Sequence, residues 1–267
     1  VDGGEMPELM EAALSRADMA GFAARRAESE RKGRLRGFGF GMYLEQCGGG
    51  TDGGVDVRFR EDGTILVLAA QQENGQGHRT TLTQILSDRL GFDANKIEIF
   101  QGDSAITPPG TTGGARMTPI LGSAVAEVAV KTIHTARPYA AEALECSEEE
   151  VIFVDGVFSS ANTNHSITIE DLALRLVPNN GAHPFDIKHQ YETDGATYPY
   201  GCHVVELEVD PGTCKVDLLR YTVVDDFGAV INPMTLEGQV HGGIAQGIGQ
   251  AIYCLLYTSD AADDRVS

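Results

Sequence analysis

The sequence predicts an α+β fold of mostly antiparallel hairpins with helices packed on them. Three observations carry that expectation. Apolar segments meet across tight turns at Glu61-Asp62-Gly63 and Asp155-Gly156, the residue types that hairpin turns favour. Elsewhere apolar residues recur at helical spacing, as in Leu82, Ile85, Leu86 and Leu90, marking one face of an amphipathic helix. Hairpins and helices also stand in separate stretches, not in the regular alternation of a doubly wound sheet.

Each element follows from local chemistry. Residues 6–33, "MPELMEAALSRADMAGFAARRAESERKG", read as helical with Gly33 as the stop. Glycines at 48–54 make a flexible loop, and "VDVRF" with "TILVLAA" forms the first hairpin. The chain then turns through "QQENGQGH" into a helix that closes at Gly91, a residue suited to a left-handed cap. "KIEIF" is a short strand. It feeds a long loop at 101–119, rich in Gly, Pro and Thr; such loops within compact domains are often functional.

"ILGSAVAEVAVKTIHTA" is a helix of small residues, "VIFVDGVFSS" a second hairpin, and Thr168 with Asp171 opens a short helix as a capping box does. In "HVVELEVDPGTCKVDLLRYTVV", Val205, Leu207 and Val209 alternate with Glu206 and Glu208. That pattern predicts an apolar buried face and an acidic wet one. Residues 254–267, "CLLYTSDAADDRVS", continue no periodicity, and Cys254 to Asp263 resemble the in-frame translation of a transposon sequencing adapter.

Composition narrows the function. With 39 acidic and 20 basic residues the net charge is −19, which excludes a nucleic-acid partner, because phosphate binding needs clustered Lys and Arg. No apolar run approaches the ~18 residues of a membrane span. Cysteines at 47, 146, 202, 214 and 254 form no C-x-x-C pair. They fit free thiols in a reducing, cytoplasmic setting better than a zinc framework or disulfide scaffold.

Two glycine-punctuated turns could carry chemistry. Gly75, Gln76, Gly77 and His78 combine a sharp turn, an amide side chain and a helix start. The unpaired N–H groups and positive end of such a helix suit an anionic ligand such as a phosphate or dinucleotide. The turn is neither a Walker loop nor a G-x-G-x-x-G fingerprint, and it could equally be only a turn. Thr112, Gly113, Gly114, Ala115 and Arg116, following Thr111, repeat the idea with hydroxyls, backbone amides and a guanidinium. Arg116 could clamp a phosphate or pair with a surface carboxylate. Asp225, Asp226, Asn232, Gln239 and His241 form a third cluster. Its paired carboxylates could bind metal or exchange protons, or Asp226 and Asn232 could bond loop backbone. "GQGHRTTLTQ" and "GQVHGGIAQ" echo each other and suggest a duplicated helix start.

Three of these segments, "NGQGHRTTLTQILSDRLG", "GDSAITPPGTTGGARM" and "VVDDFGAVINPMTLEGQVHGGIAQGIGQA", resemble the molybdenum-binding large subunit of the xanthine dehydrogenase family, and its aerobic carbon monoxide dehydrogenase branch in particular. The resemblance runs from about Glu5 to Tyr253. It implies a helical segment and linker at 1–36 trailing from an earlier part, and a partial molybdopterin-binding region at 37–253. The cofactor it implies is molybdopterin cytosine dinucleotide with molybdenum held by the pterin, so no side chain need ligate the metal. Gly75, Gln76, Gly77, His78 and Thr112 to Arg116 would touch the cofactor, with Asp226, Asn232 and Gln239 nearby.

The implied reaction oxidises carbon monoxide, an aldehyde or an N-heterocycle with water as the oxygen source. Electrons would pass to an iron–sulfur small subunit and an FAD medium subunit in a dimer of heterotrimers. The family's catalytic glutamate belongs to a Gly-Glu motif beyond Tyr253, and its reactive-cysteine loop lies upstream, so neither role falls to a residue here. The fragment itself would then be inactive. Cys214 replaces a glycine usual in relatives, and a read error is one source for it. If that position is left-handed, the side chain costs on the order of 1 kcal/mol. The reading from another class is a non-catalytic phosphate- or dinucleotide-binding module.

Overall fold

The computed structural model of the protein describes residues 4–48, 53–176, 181–193 and 195–253. Most of the predicted glycine loop (49–52) and the adapter-like tail (254–267) lie outside the described residues. The first half of the chain holds helices α1 (Met6–Arg16) and α2 (Phe22–Arg31), then strands β1 (Leu35–Leu44), β2 (Cys47–Gly48), β3 (Gly53–Phe59) and β4 (Ile65–Ala69). Helix α3 (His78–Leu90), strand β5 (Ile97–Phe100) and helix α4 (Ser123–Leu144) follow. Next come β6 (Ile152–Val154), β7 (Val157–Ser159), β8 (Ser166–Thr168) and α5 (Ile169–Arg175). The chain continues with β9 (Ile187–Tyr191), β10 (Ala196–Thr197), β11 (Tyr200–Val209), β12 (Val216–Asp226) and α6 (Pro233–Tyr253). These elements form two compact units, Cys47–Thr197 and Val1–Gln46 with Tyr198–Ser267.

The fold is α+β, as expected. In the Cys47–Thr197 unit a four-stranded sheet runs β5-β4-β3-β9, and the β3–β4 hairpin turns at Gly63 as predicted. One pairing departs from the antiparallel expectation: β4 and β5 run parallel. A parallel neighbour requires a crossover, and α3 supplies it. Leu82, Leu86 and Leu90 of α3 are buried with Val57, Ile65, Val67 and Ile99 of the sheet.

Helix α4 presents Ala124, Val128, Thr132, Ala136, Ala140 and Leu144 to the same core, one residue every turn. It runs past the predicted end at Ala136 and keeps Pro138 inside it. That proline forfeits one backbone bond, and the buried stripe on either side outweighs the loss. Asp155 and Gly156, both at positive φ, make the second hairpin turn, and the Thr168 hydroxyl accepts the Asp171 N–H at 3.0 Å to start α5.

In the other unit β1, β11 and β12 form an antiparallel sheet. The single helix expected over 6–33 is two. Asp18 adopts a left-handed conformation (φ 52°) and its carboxylate accepts the Gly21 N–H at 3.2 Å, which separates α1 from α2. The face assignment of β11 is also reversed. Cys202, Val204 and Glu206 are buried, with Gly201 beside them, whereas Val205 and Leu207 are half-buried. Alternation fixed the parity correctly, but Arg25 and Arg36 reach Glu206 and make the acidic side the inner one.

Candidate functional site

The first turn is built by backbone conformation. Gly75 (φ 101°) and Gly77 (φ 82°) both take left-handed values, open to glycine at little cost. A Cβ at Gly75 would meet nothing within 4 Å, so conformation rather than crowding requires glycine there, and the turn faces open space. Between them the Gln76 side-chain carbonyl accepts the Asn74 N–H. That bond orients the amide and leaves its NH2 end as the donor for a ligand.

The helix start behaves differently from the expectation. The carboxylate of Glu73 accepts the Gly77 N–H at 3.1 Å and the Arg79 N–H at 3.3 Å, with Arg79 Nε at 3.5 Å. The chain's own Glu73 is therefore the anion at the positive end of α3. Sequence reasoning missed this residue; the available signal was an acid just ahead of a helix whose N-cap is glycine. His78, the first residue of α3, is buried, and its Nδ1 has no hydrogen-bond partner among the described residues. Burial pushes the imidazole below its usual pKa against the pull of Glu73, so the ring is neutral near pH 7.

The second turn is tied to the first. Thr112 Oγ1 donates to the Gln72 carbonyl at 2.8 Å, and Gln101 Nε2 donates to the Gln71 carbonyl. The loop that carries the second turn is thus tied, at Gln71 and Gln72, to the segment that leads into the first. Gly114 (φ 60°) and Ala115 (φ 47°) are left-handed, and a Cβ at Gly113 or Gly114 would meet open space. Arg116 donates through one guanidinium nitrogen to the Thr111 carbonyl at 3.4 Å, closing its own loop. A π-helical turn at Thr118–Gly122 then leads into α4.

The third cluster belongs to the other unit, and its carboxylates do not form a pair. Neighbouring residues of a strand point to opposite faces. Asp225 is turned inward, accepting from Tyr43 Oη at 3.1 Å and facing His203 Nε2 at 3.5 Å. Burial raises its pKa against the opposing effects of Tyr43 and His203. Asp226 is exposed and accepts the Gly228 N–H at 2.8 Å and Tyr200 Oη at 3.0 Å.

Asn232 Oδ1 accepts the Thr235 N–H at 2.9 Å at the start of α6. Gln239 and His241 are exposed on that helix. The "GQVH" echo lies inside α6, whereas "GQGH" begins α3, so the two are not equivalent helix starts. No group of three or more His, Cys, Asp or Glu side chains among the described residues could hold a metal ion. A cavity of about 430 Å³ opens beside Gly54, Asp56, Arg58, Pro108 and His189, and none of the candidate residues lines it.

A family model described as the molybdopterin cofactor-binding domain matches residues 12–263. The chain belongs to that family. It is 32% identical over 246 residues to the carbon monoxide dehydrogenase large chain of Hydrogenophaga pseudoflava, covering 86% of this chain and 30% of that one. It is 28% identical over 270 residues to the nicotine 6-hydroxylase large subunit of Paenarthrobacter nicotinovorans, covering 94% and 33%.

Among solved structures, the Cu,Mo-CO dehydrogenase matches with TM-score 0.78 at 29% identity, over 91% of this chain and 33% of that chain. Quinoline 2-oxidoreductase of Pseudomonas putida 86 matches with TM-score 0.80 at 25% identity, over the same shares. The chain spans about a third of the length of the curated relatives it matches. None of its described helices is long and apolar enough to cross a membrane.

Proposed function

We propose that this chain is the cofactor-holding segment of a molybdenum hydroxylase large subunit, with Gly75–His78 and Thr112–Arg116 against molybdopterin. The observation that carries the proposal is that the loop bearing the second open glycine turn bonds, through Gln101 and Thr112, the Gln71–Gln72 segment just ahead of the first in a chain of the molybdopterin-binding family. The donor set fits such a group: a neutral amide from Gln76, a neutral imidazole at His78, and a stretch of backbone at 113–115 with no side chain larger than a methyl. These residues bind and orient; none is placed to ligate a metal.

When bound, the molybdenum cofactor supplies two-electron oxidation with oxygen drawn from water. The whole protein would act on carbon monoxide, an aldehyde or an N-heterocycle, the range spanned by the names of its relatives. The form expected is the cytosine dinucleotide. Iron–sulfur and FAD partner subunits would take the electrons, in a cytoplasmic dimer of heterotrimers. On this reading residues 1–36 are a helical lead-in, 37–253 the binding region, and 254–267 an adapter translation that resequencing of the source DNA would remove.

The test is purification of the chain from a host that makes the dinucleotide, followed by metal analysis and acid hydrolysis. Molybdenum together with released CMP supports the reading. Protein that carries neither, under conditions where a known large subunit is loaded, sinks it.

A further inference from the structure

We infer that Glu73 is a positioning residue: its carboxylate is the built-in anion of the α3 N-terminus, and it sets the 74–77 turn so that Gln76 meets a ligand through its neutral amide. The second half of this statement rests on the proposed function; the first does not. A helix of 13 residues leaves its leading N–H groups without intrahelical partners and carries partial positive charge at that end. Two of those groups, on Gly77 and Arg79, are taken by the two oxygens of Glu73. The Glu73 side chain is only 20% exposed, and the Arg79 guanidinium lies on its far oxygen.

The consequence is selective. A phosphate approaching α3 would meet a carboxylate already seated there and its repulsion. The segment 74–77 is closed like a clasp, with Glu73 bonded forward to Gly77 and the Gln76 carbonyl bonded back to Asn74. With its carbonyl taken by Asn74, Gln76 offers its NH2 group, a donor that recognises an acceptor edge without requiring negative charge. Glu73 thus separates this turn from glycine loops that grip phosphate through free backbone amides.

The experiment uses the isotopically labelled 267-residue chain, without cofactor, titrated with inorganic phosphate. In the unaltered chain the Gly77 and Arg79 amide resonances stay fixed. In Glu73→Ala both amides exchange about fivefold faster, the size expected for a lost cap, and both shift saturably with phosphate. Glu73→Gln keeps an acceptor and should recover most of the slow exchange. Phosphate shifts of equal size in the unaltered chain, or exchange unchanged by Glu73→Ala, would overturn the built-in-anion role.

The positioning role is read from bound pterin per chain. Glu73→Ala should fall about tenfold below the unaltered protein, a loss of about one hydrogen bond to a ligand, with Glu73→Gln between. Equal occupancy in all three overturns it. An unaltered chain that never binds pterin removes both the proposed function and this positioning role, while the amide result still decides what Glu73 does at the helix.

Discussion

Glu206 accepts a hydrogen bond from Arg36 Nε at 2.8 Å with only 5% of the Glu206 side chain exposed. Arg25 Nε lies at 3.0 Å on the same oxygen. Burial alone would raise the carboxyl pKa, but the two guanidiniums outweigh it and hold the group below its ordinary value of 4.5. A folded pKa below the unfolded one stabilises above the unfolded value, and the gain is lost as pH falls through the folded pKa. Glu206→Gln should therefore cost about 2 kcal/mol near neutral pH, since it removes the carboxylate that Arg25 and Arg36 share and leaves each with one remaining acid, Asp18 and Glu208 respectively. Urea unfolding near pH 7 and near pH 3 checks this. The gap between the two proteins should shrink at the acid end, and a constant gap would mean that charge is not its source.

Cys214 sits at φ 56° in the β11–β12 hairpin, and its N–H donates to the Asp210 carbonyl at 2.7 Å. The condition set in the sequence, a left-handed residue at this position, is met. Cys214→Gly relieves the Cβ strain there and should stabilise the chain by about 1 kcal/mol. A denaturant midpoint that stays put or falls would show that the turn tolerates the side chain without penalty.

Where the sequence was legible, local chemistry decided the structure by itself. Gly63, Asp155-Gly156 and Gly91 are left-handed, and those residue types are among the few that adopt that conformation cheaply. Leu82, Leu86 and Leu90 reached the core because their spacing admits one face. What escaped depended on partners remote in sequence. Nothing near Glu206 reveals that Arg25, 181 residues away on α2, reaches it, so the buried face of β11 was assigned backwards. The Asp18 break fell in a stretch whose helical spacing continued on both sides. Glu73 was missed for a different reason: the motif drew attention to a ligand's charge, and the chain supplies its own.

Gly75→Ala separates conformation from recognition. The left-handed turn (φ 101°) makes any Cβ cost about 1 kcal/mol or more, yet the added methyl meets no protein atom. The expected outcome is a small loss of stability with a far larger loss of bound pterin, because the methyl fills space that a ligand would occupy. Gln76→Leu also removes the Asn74 bond, at about 1 kcal/mol of stability, and should reduce pterin retention by about tenfold beyond that, one ligand hydrogen bond's worth. Metal analysis beside a denaturant curve tests both. A loss of stability that accounts for all the lost cofactor would assign these residues to the turn alone.

Helix α6 gives the last prediction. Among its 21 residues none is buried, and Met234 and Tyr253 are each 76% exposed. Five glycines fall within "EGQVHGGIAQGIGQAI", and each lowers intrinsic helix stability by about 1 kcal/mol relative to alanine. Asn232 caps the first turn, but one cap offsets only about one such loss. Without buried contacts to hold it, the helix should open locally at almost no cost. Amide exchange across Ile244 to Ile252 in the isolated monomer should accordingly approach the unprotected rate, while Leu82 to Leu90 of the buried α3 stay protected. Strong protection in both helices would mean that α6 finds a packing partner in solution.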